Sequence, residues 1–312
     1  MRDRVRGWCG LFLLVFGFWL PVLAAEAPPA HDVGRRVEAA PKRGFLYEVK
    51  RGAKVAYVFG TIHVGRPDFY PLNLPVTRAL TAAKYLAVEA NVSDPAAVAK
   101  EVTQYAIYPD SMTLDRELPP AMMKKVSAVL DQYHLPRDQT MKMRPWMLAL
   151  TLSLLQATQA GYDPQWAAES YLLGIAKSQK KPIVEVEGLR RQMDLFTGLS
   201  SEQQFAFLDR TLDELEDGEA KRELIAFVDA WTKADAAALE HEWKRLQKSH
   251  DGSDRFVIDK LLIERNGFMA GRIEEYLRSG DTYFVAIGAM HLIGEKSVIA
   301  LLRQRGYQVR GL

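Results

Sequence analysis

The chain has 312 residues, of which 48% are hydrophobic and 26% charged, a balance that excludes fibrous and intrinsically disordered classes. Its 41 Lys and Arg stand against 39 Asp and Glu, so it lacks the basic excess that nucleic-acid binding demands. One cysteine, Cys9, excludes a disulfide framework or a cysteine-built metal site.

The first segment is expected to be a secretory signal. Arg2, Arg4 and Arg6 give a basic start, Leu11 to Leu23 is almost wholly apolar, and the small-residue patch Ala24-Ala25-Glu26-Ala27 follows. The apolar run is short of the ~20 residues that a spanning helix needs. An uncleaved anchor is the alternative, and it would be the chain's only membrane contact. Removing residues 1–24 takes away three arginines and Asp3, leaving 38 charges of each sign. Boundaries follow as a signal at 1–25, a flexible arm at 26–43 rich in Ala, Pro and charge, and one α/β domain at 44–312. A periplasmic or secreted location is expected.

Within the domain, Phe45-Leu-Tyr-Glu-Val and Val55-Ala-Tyr-Val-Phe59 predict a hairpin feeding a sheet. Val76 to Ala83 predicts a helix and Tyr85 to Glu89 a buried strand. From Ser93 the texture is helical, with segments at Pro119–Tyr133, Pro145–Gln159 and Pro164–Gln179. Met147 to Leu155 is apolar but too short to span a bilayer, and reads as a core helix. Lys181-Pro-Ile-Val-Glu-Val-Glu187 interrupts the helices as one strand. Helical spacing resumes from about Leu189, through Glu202–Leu215, Arg222–Lys233, Ala236–Leu246 and Arg255–Leu277. Thr282–Ile287 predicts a strand, Glu295–Gln304 a helix, and Tyr307-Gln-Val-Arg a last strand.

An internal echo carries the functional signal. Val55-Ala-Tyr-Val-Phe-Gly-Thr-Ile-His63-Val parallels Tyr283-Phe-Val-Ala-Ile-Gly-Ala-Met-His291-Leu. Each is a β-(Gly-x-x-His)-α-β unit, one at either end of the chain. The fold expected is therefore a single α/β domain with a central mixed sheet and a large helical middle region. Gly60 and Gly288 are expected to allow a sharp turn at each strand end. In open α/β sheets ligands bind beyond the carboxyl ends of strands, so His63 and His291 would face one crevice. Imidazole is both the commonest metal ligand and a base near neutral pH. A plain strand-end cap is the alternative for either histidine.

Glu89 closes a strand at the same end, and Glu187 closes another and competes for the same role. A carboxylate there must be solvated or paired. Arg265 and Asn266, in Leu262-Ile-Glu-Arg-Asn-Gly-Phe-Met, read from the residues alone as plain surface helix. His134, His241 and His250 lie in polar helical contexts and His31 in the arm, and none takes a role.

These stretches resemble the TraB/GumN family. The resemblance rests on Tyr57-Val-Phe-Gly-Thr-Ile-His-Val-Gly, Leu86-Ala-Val-Glu-Ala, Lys142-Met-Arg-Pro-Trp146, Lys181 to Glu187 and Glu264-Arg-Asn266. It also rests on the closing Tyr283 to Gly294 followed by Leu-Arg-Gln-Arg-Gly-Tyr-Gln-Val, and spans about residues 45–310 in order. The family includes the Tiki metalloproteases, and its architecture is similar to erythromycin-esterase-like and haem-binding ChaN-like proteins. The resemblance implies that His63, His291 and Glu89 hold defining positions and that Glu187, Arg265 and Asn266 hold secondary ones. Glu185-Val-Glu187-Gly departs from the Leu-Glu-Thr that the family pattern leads one to expect.

Together these observations predict a metal-dependent hydrolase of peptide or related acyl bonds. His63, His291 and Glu89 would hold Mn²⁺, Co²⁺ or Zn²⁺, with Glu89 as ligand or base and Glu187 as its alternate. Arg265 would stabilise an oxyanion and Asn266 would orient it. Two rivals stay open: a metal-free His/Glu esterase or amidase, and a non-catalytic haem- or metal-binding protein.

Overall fold

The computed structural model describes residue 37 and residues 39–249 and 252–312. The expected signal, most of the arm, His31 and His250 lie outside the described residues. At the arm's end, Val37 is buried and Arg43 donates to the Phe69 carbonyl at 2.7 Å.

Six strands form one mixed sheet in the order β4-β3-β5-β2-β1-β6. They are β1 Phe45–Arg51, β2 Lys54–Thr61, β3 Tyr85–Val88, β4 Ile183–Glu185, β5 Tyr283–Gly288 and β6 Gln308–Gly311. The expected hairpin is β1 with β2, antiparallel from Phe45↔Gly60 to Arg51↔Lys54. The four strands β4, β3, β5 and β2 run parallel. β5 is buried at every residue, as the centre of a sheet covered on both faces requires.

The late strand β5 inserts between β2 and β3. Its Val285 lies opposite Val58 on one side and Ala87 on the other. Both Gly-x-x-His strands are therefore direct neighbours. Their register is offset by one residue, with Thr61, not Gly60, facing Gly288. Neither glycine has a positive φ, so the expected special turn is not their use. Gly60 supplies space instead, because a Cβ there would meet Leu292 Cδ1 at 2.9 Å and Ala289 Cα at 3.1 Å.

The longer helices begin with α1 Leu74–Ala82, α2 Pro95–Ala106, α3 Pro120–Gln132, α4 Pro145–Gln159, α5 Ala168–Ser178 and α6 Leu189–Thr197. They continue as α7 Ser201–Glu216, α8 Glu219–Thr232, α9 Ala236–Gln247, α10 Arg265–Ser279 and α11 Val298–Gln304. α1 joins β2 to β3 and α11 joins β5 to β6, completing the two matched units. α4 is a core helix, buried from Pro145 to Leu150, with Trp146 stacked on Phe196 of α6 at 4.8 Å. Among the described residues no helix is long and apolar enough to cross a membrane.

The middle helices reach over the carboxyl edge of the sheet. Trp231 of α8 donates its indole N–H to the Gly60 carbonyl at 2.8 Å, and its ring packs edge-on to Phe59. The expected helix Arg255–Leu277 is interrupted: Val257–Glu264 is wound as a π-helix and leads directly into α10. That insertion corrects the surface-helix expectation for Arg265 and Asn266. Both are buried, at 1% and 0% exposure.

Candidate active site

Strand ends and helix starts bring six polar side chains together at the carboxyl edge of β4, β3, β5 and β2. His63 follows β2 by two residues. His291 sits in a 3₁₀ turn, Ala289–Leu292, directly after β5. Glu89 is the residue after β3, and Glu187 lies two beyond β4. Arg265 and Asn266 open α10. Isolated charges cannot survive such burial, so each must be satisfied by a neighbour.

Glu89 is the hub. Its Oε1 accepts from the Gly288 N–H at 2.6 Å and lies 3.9 Å from His291 Nε2. Its Oε2 accepts from Gln192 Nε2 of α6 at 3.0 Å and from Arg265 Nη2. Arg265 also forks onto Glu187, with Nε at 2.9 Å and Nη2 at 2.6 Å from Oε2. Its Nη1 reaches back to the Leu261 carbonyl in the π-helical turn. One guanidinium thus bridges two carboxylates. Arg265 is pinned within the interior between the two carboxylates. Glu187, 3.7 Å from the half-exposed Arg191 as well, is held as an ion-pair partner.

Asn266 is held between the Lys296 carbonyl and the His291 ring. Its Nδ2 donates to the Lys296 carbonyl at 2.9 Å, which turns Oδ1 toward His291 Nδ1 at 2.7 Å. An amide oxygen only accepts, so Nδ1 carries the proton and Nε2 carries a lone pair. That Nε2 is buried and has no hydrogen-bond partner.

His63 is served differently. Its Nδ1 lies 2.9 Å from Oε1 of Glu169, a residue in the first turn of α5. Its Nε2 is also buried without a partner. Glu169 and Gln192 are the site residues that sequence reasoning missed. Neither stands in a motif, and only the meeting of distant segments reveals them.

The electrostatics separate the two imidazoles. Burial pulls the His63 imidazolium down, but Glu169 and then Glu89 outweigh it, leaving His63 above its ordinary value. His291 is pushed well below its ordinary value by burial, then by Arg265 and His63. Burial lifts the Glu89 carboxyl, Arg265 and His63 pull it back, and the net shift is upward. Burial likewise lifts Glu169, yet the His63 imidazolium prevails and holds it low. Two titratable groups driven apart in this way are the usual basis of an acid/base assignment.

Two observations bear on a metal. Two buried imidazole nitrogens without partners are the donor type that borderline divalent ions take. With every carboxylate ionised, Glu89, Glu169 and Glu187 against Arg265 leave the cluster two negative charges in excess while both imidazoles are neutral. A divalent cation would balance it. Among the described residues, however, no group of three His, Cys, Asp or Glu side chains is arranged to hold an ion. The fit is therefore to the imidazole pair, with Glu89 committed to Arg265, Gln192 and Gly288.

Known proteins are similar to this chain along most of its length. Residues 45–311 match the model of the TraB/PrgY/gumN family. The chain is 26% identical over 252 residues to the protein named Uncharacterized protein YbaP of Escherichia coli strain K12, covering 81% of this chain and 89% of that one. It is 25% identical over 350 residues to Metalloprotease TIKI2 of Danio rerio, covering 93% and 67%. A Metalloprotease TIKI homolog of Amphimedon queenslandica is 22% identical, covering 97% and 67%. No solved structure matches the chain.

Proposed function

The chain belongs to the TraB/PrgY/gumN family, and from that premise we propose that it is an exported, metal-dependent hydrolase of peptide or related acyl bonds. The observation that carries this reading is the pair of partnerless imidazole nitrogens, His63 Nε2 and His291 Nε2, buried beside a carboxylate cluster. Relatives named as metalloproteases support the reaction class. The basic, apolar and small-residue order of residues 1–25 supports export.

In this reading His63 and His291 hold a divalent ion through Nε2, with Mn²⁺, Co²⁺ and Zn²⁺ as the candidates. Such an ion, when bound, lowers the pKa of water and polarises a substrate carbonyl. Asn266 keeps the His291 lone pair directed into the site. Arg265 holds Glu89 and Glu187 in place against their mutual repulsion. Glu89, lifted above the usual carboxylate range, is the group suited to take and return a proton.

One specific observation favours a second reading. The opposite shifts of the two histidines, without a third ready ligand, suit a metal-free pair with His63 as acid and His291 as base.

The test is metal analysis of the purified full chain, followed by peptide-library hydrolysis before and after chelation. Loss of turnover on chelation, with recovery on adding Mn²⁺, Co²⁺ or Zn²⁺, is expected. Turnover that survives exhaustive chelation would replace the metal reading with the acid/base pair. No turnover of any peptide, with a Soret band on haem titration, would point to a binding protein.

A further inference from the structure

We propose that Glu169 is a positioning residue for His63, setting which imidazole nitrogen faces the reaction site. The inference rests on the reading that His63 Nε2 is a ligand or proton-transfer atom.

The contact is built by the backbone, not by a chance side-chain encounter. Three main-chain hydrogen bonds clasp the loop after β2 to the segment that leads into α5. The Gly65 N–H donates to the Asp163 carbonyl at 3.0 Å, and the Asp163 N–H returns to Gly65 at 2.9 Å. The Ala168 N–H donates to the Ile62 carbonyl at 2.8 Å. The clasp is close enough that a Cβ on Gly65 would overlap the Trp166 carbonyl oxygen. Tyr70 adds a further tie, donating its hydroxyl to that same carbonyl at 2.7 Å and stacking on Tyr171 at 4.2 Å. Ile62 and Ala168, fixed to each other, are each followed by one site residue, His63 and Glu169.

Glu169 is 9% exposed and His63 6%, so neither has solvent as an alternative partner. Both Glu169 oxygens are buried without another hydrogen-bond partner, and a carboxylate only accepts, so a proton on the imidazole nitrogen 2.9 Å away is the arrangement that satisfies it. In the neutral ring the other nitrogen, Nε2, then carries the lone pair, and it is the atom left without a partner. The first turn of a helix is a favourable place for a carboxylate, which helps the charge persist in the interior. The result parallels His291 with a difference. An amide orients one imidazole and a carboxylate orients the other, so His63 is the more electron-rich donor of the pair. Outer partners of this sort fix tautomer and ligand basicity.

The experiment compares Glu169→Gln and Glu169→Leu in the metal-free full chain. Long-range proton–nitrogen NMR of labelled histidine at pH about 9, above the ordinary imidazole range, reads each ring's tautomer. Wild type and Glu169→Gln should both show His63 protonated at Nδ1, since the glutamine oxygen can still accept. Glu169→Leu should lose that single tautomer, while the His291 signals and the far-UV CD stay native. Mn²⁺ titration should then show about a 10–100-fold loss of affinity in Glu169→Leu and a smaller one in Glu169→Gln. An unchanged His63 tautomer in a folded Glu169→Leu chain would overturn the proposal. Failure of wild type to bind Mn²⁺, with the tautomer change intact, would instead count against the metal reading alone.

Discussion

Arg265 and Glu89, 176 positions apart in the chain, meet through a guanidinium–carboxylate hydrogen bond in the interior of the candidate site. The same guanidinium holds Glu187, 78 positions away. Replacing it with an apolar side chain would strand two buried carboxylates. Arg265→Met should cost about 3–5 kcal/mol at neutral pH, the usual consequence of removing one partner from a buried ionic group. The loss should shrink toward acidic pH, where the stranded carboxylates take up protons. Urea denaturation at several pH values measures both effects. A loss below about 1 kcal/mol would deny that Arg265 neutralises the pair.

Asn266 fixes the His291 tautomer through the Lys296 carbonyl. Asn266→Ala should lower divalent-metal affinity about 10–100-fold with little change in fold. Asn266→Asp keeps an acceptor for Nδ1–H but adds a negative charge that favours imidazolium. It should therefore move the pH of half-maximal metal binding upward. Isothermal titration across a pH series separates the two variants, and equal behaviour would remove the orienting role.

His291 has a defined pH signature in the metal-free protein. Its native value lies well below the ordinary 6.5, because burial disfavours the charged ring. As pH falls through 6.5, the unfolded chain takes up a proton there that the native chain does not. Stability must then decline with falling pH from 6.5 until the native value is reached. His63, raised by Glu169, contributes in the opposite direction: its stabilisation is present below 6.5 and fades as pH rises through its native value. The variant His291→Gln should lose the first component and keep the second. Denaturation midpoints that fall equally with pH in wild type and His291→Gln would contradict the burial argument.

Two glycines give opposite expectations. Gly65 abuts the Trp166 carbonyl, and Gly271 in α10 has nothing within 4 Å of an added Cβ. Gly65→Ala should destabilise by about 1–3 kcal/mol through overpacking of the clasp. Gly271→Ala should stabilise by about 0.5–1 kcal/mol, since alanine is the better helix former. Thermal melts of both variants check the contrast.

The local pattern made much of the architecture legible. The hairpin, the core helix Pro145–Gln159 and the matched strand–Gly-x-x-His units all follow from hydrophobic period and punctuation. Glu89 and Glu187 could be placed at strand ends by the same means. The burial of Arg265 could not, because Glu-Arg-Asn-Gly has the polarity of a wet helix face. Only the π-helical approach and the two acidic partners account for it, and both involve chain segments far apart. Glu169 is hidden for a related reason. In Gln165-Trp-Ala-Ala-Glu-Ser nothing marks it, and its meaning comes from backbone bonds to Ile62 and Gly65, about a hundred residues earlier.

The insertion of β5 between β2 and β3 has a kinetic consequence. Until about residue 290 is available, the sheet has a gap at its middle, and the two parallel strands β2 and β3 lack their shared neighbour. Such long-range closure is slow and must await the synthesis of Tyr283–Gly288. Fragments ending before Tyr283 should be unable to assemble the site at all. A chain that stays open so late is also one that can still be threaded through a narrow channel.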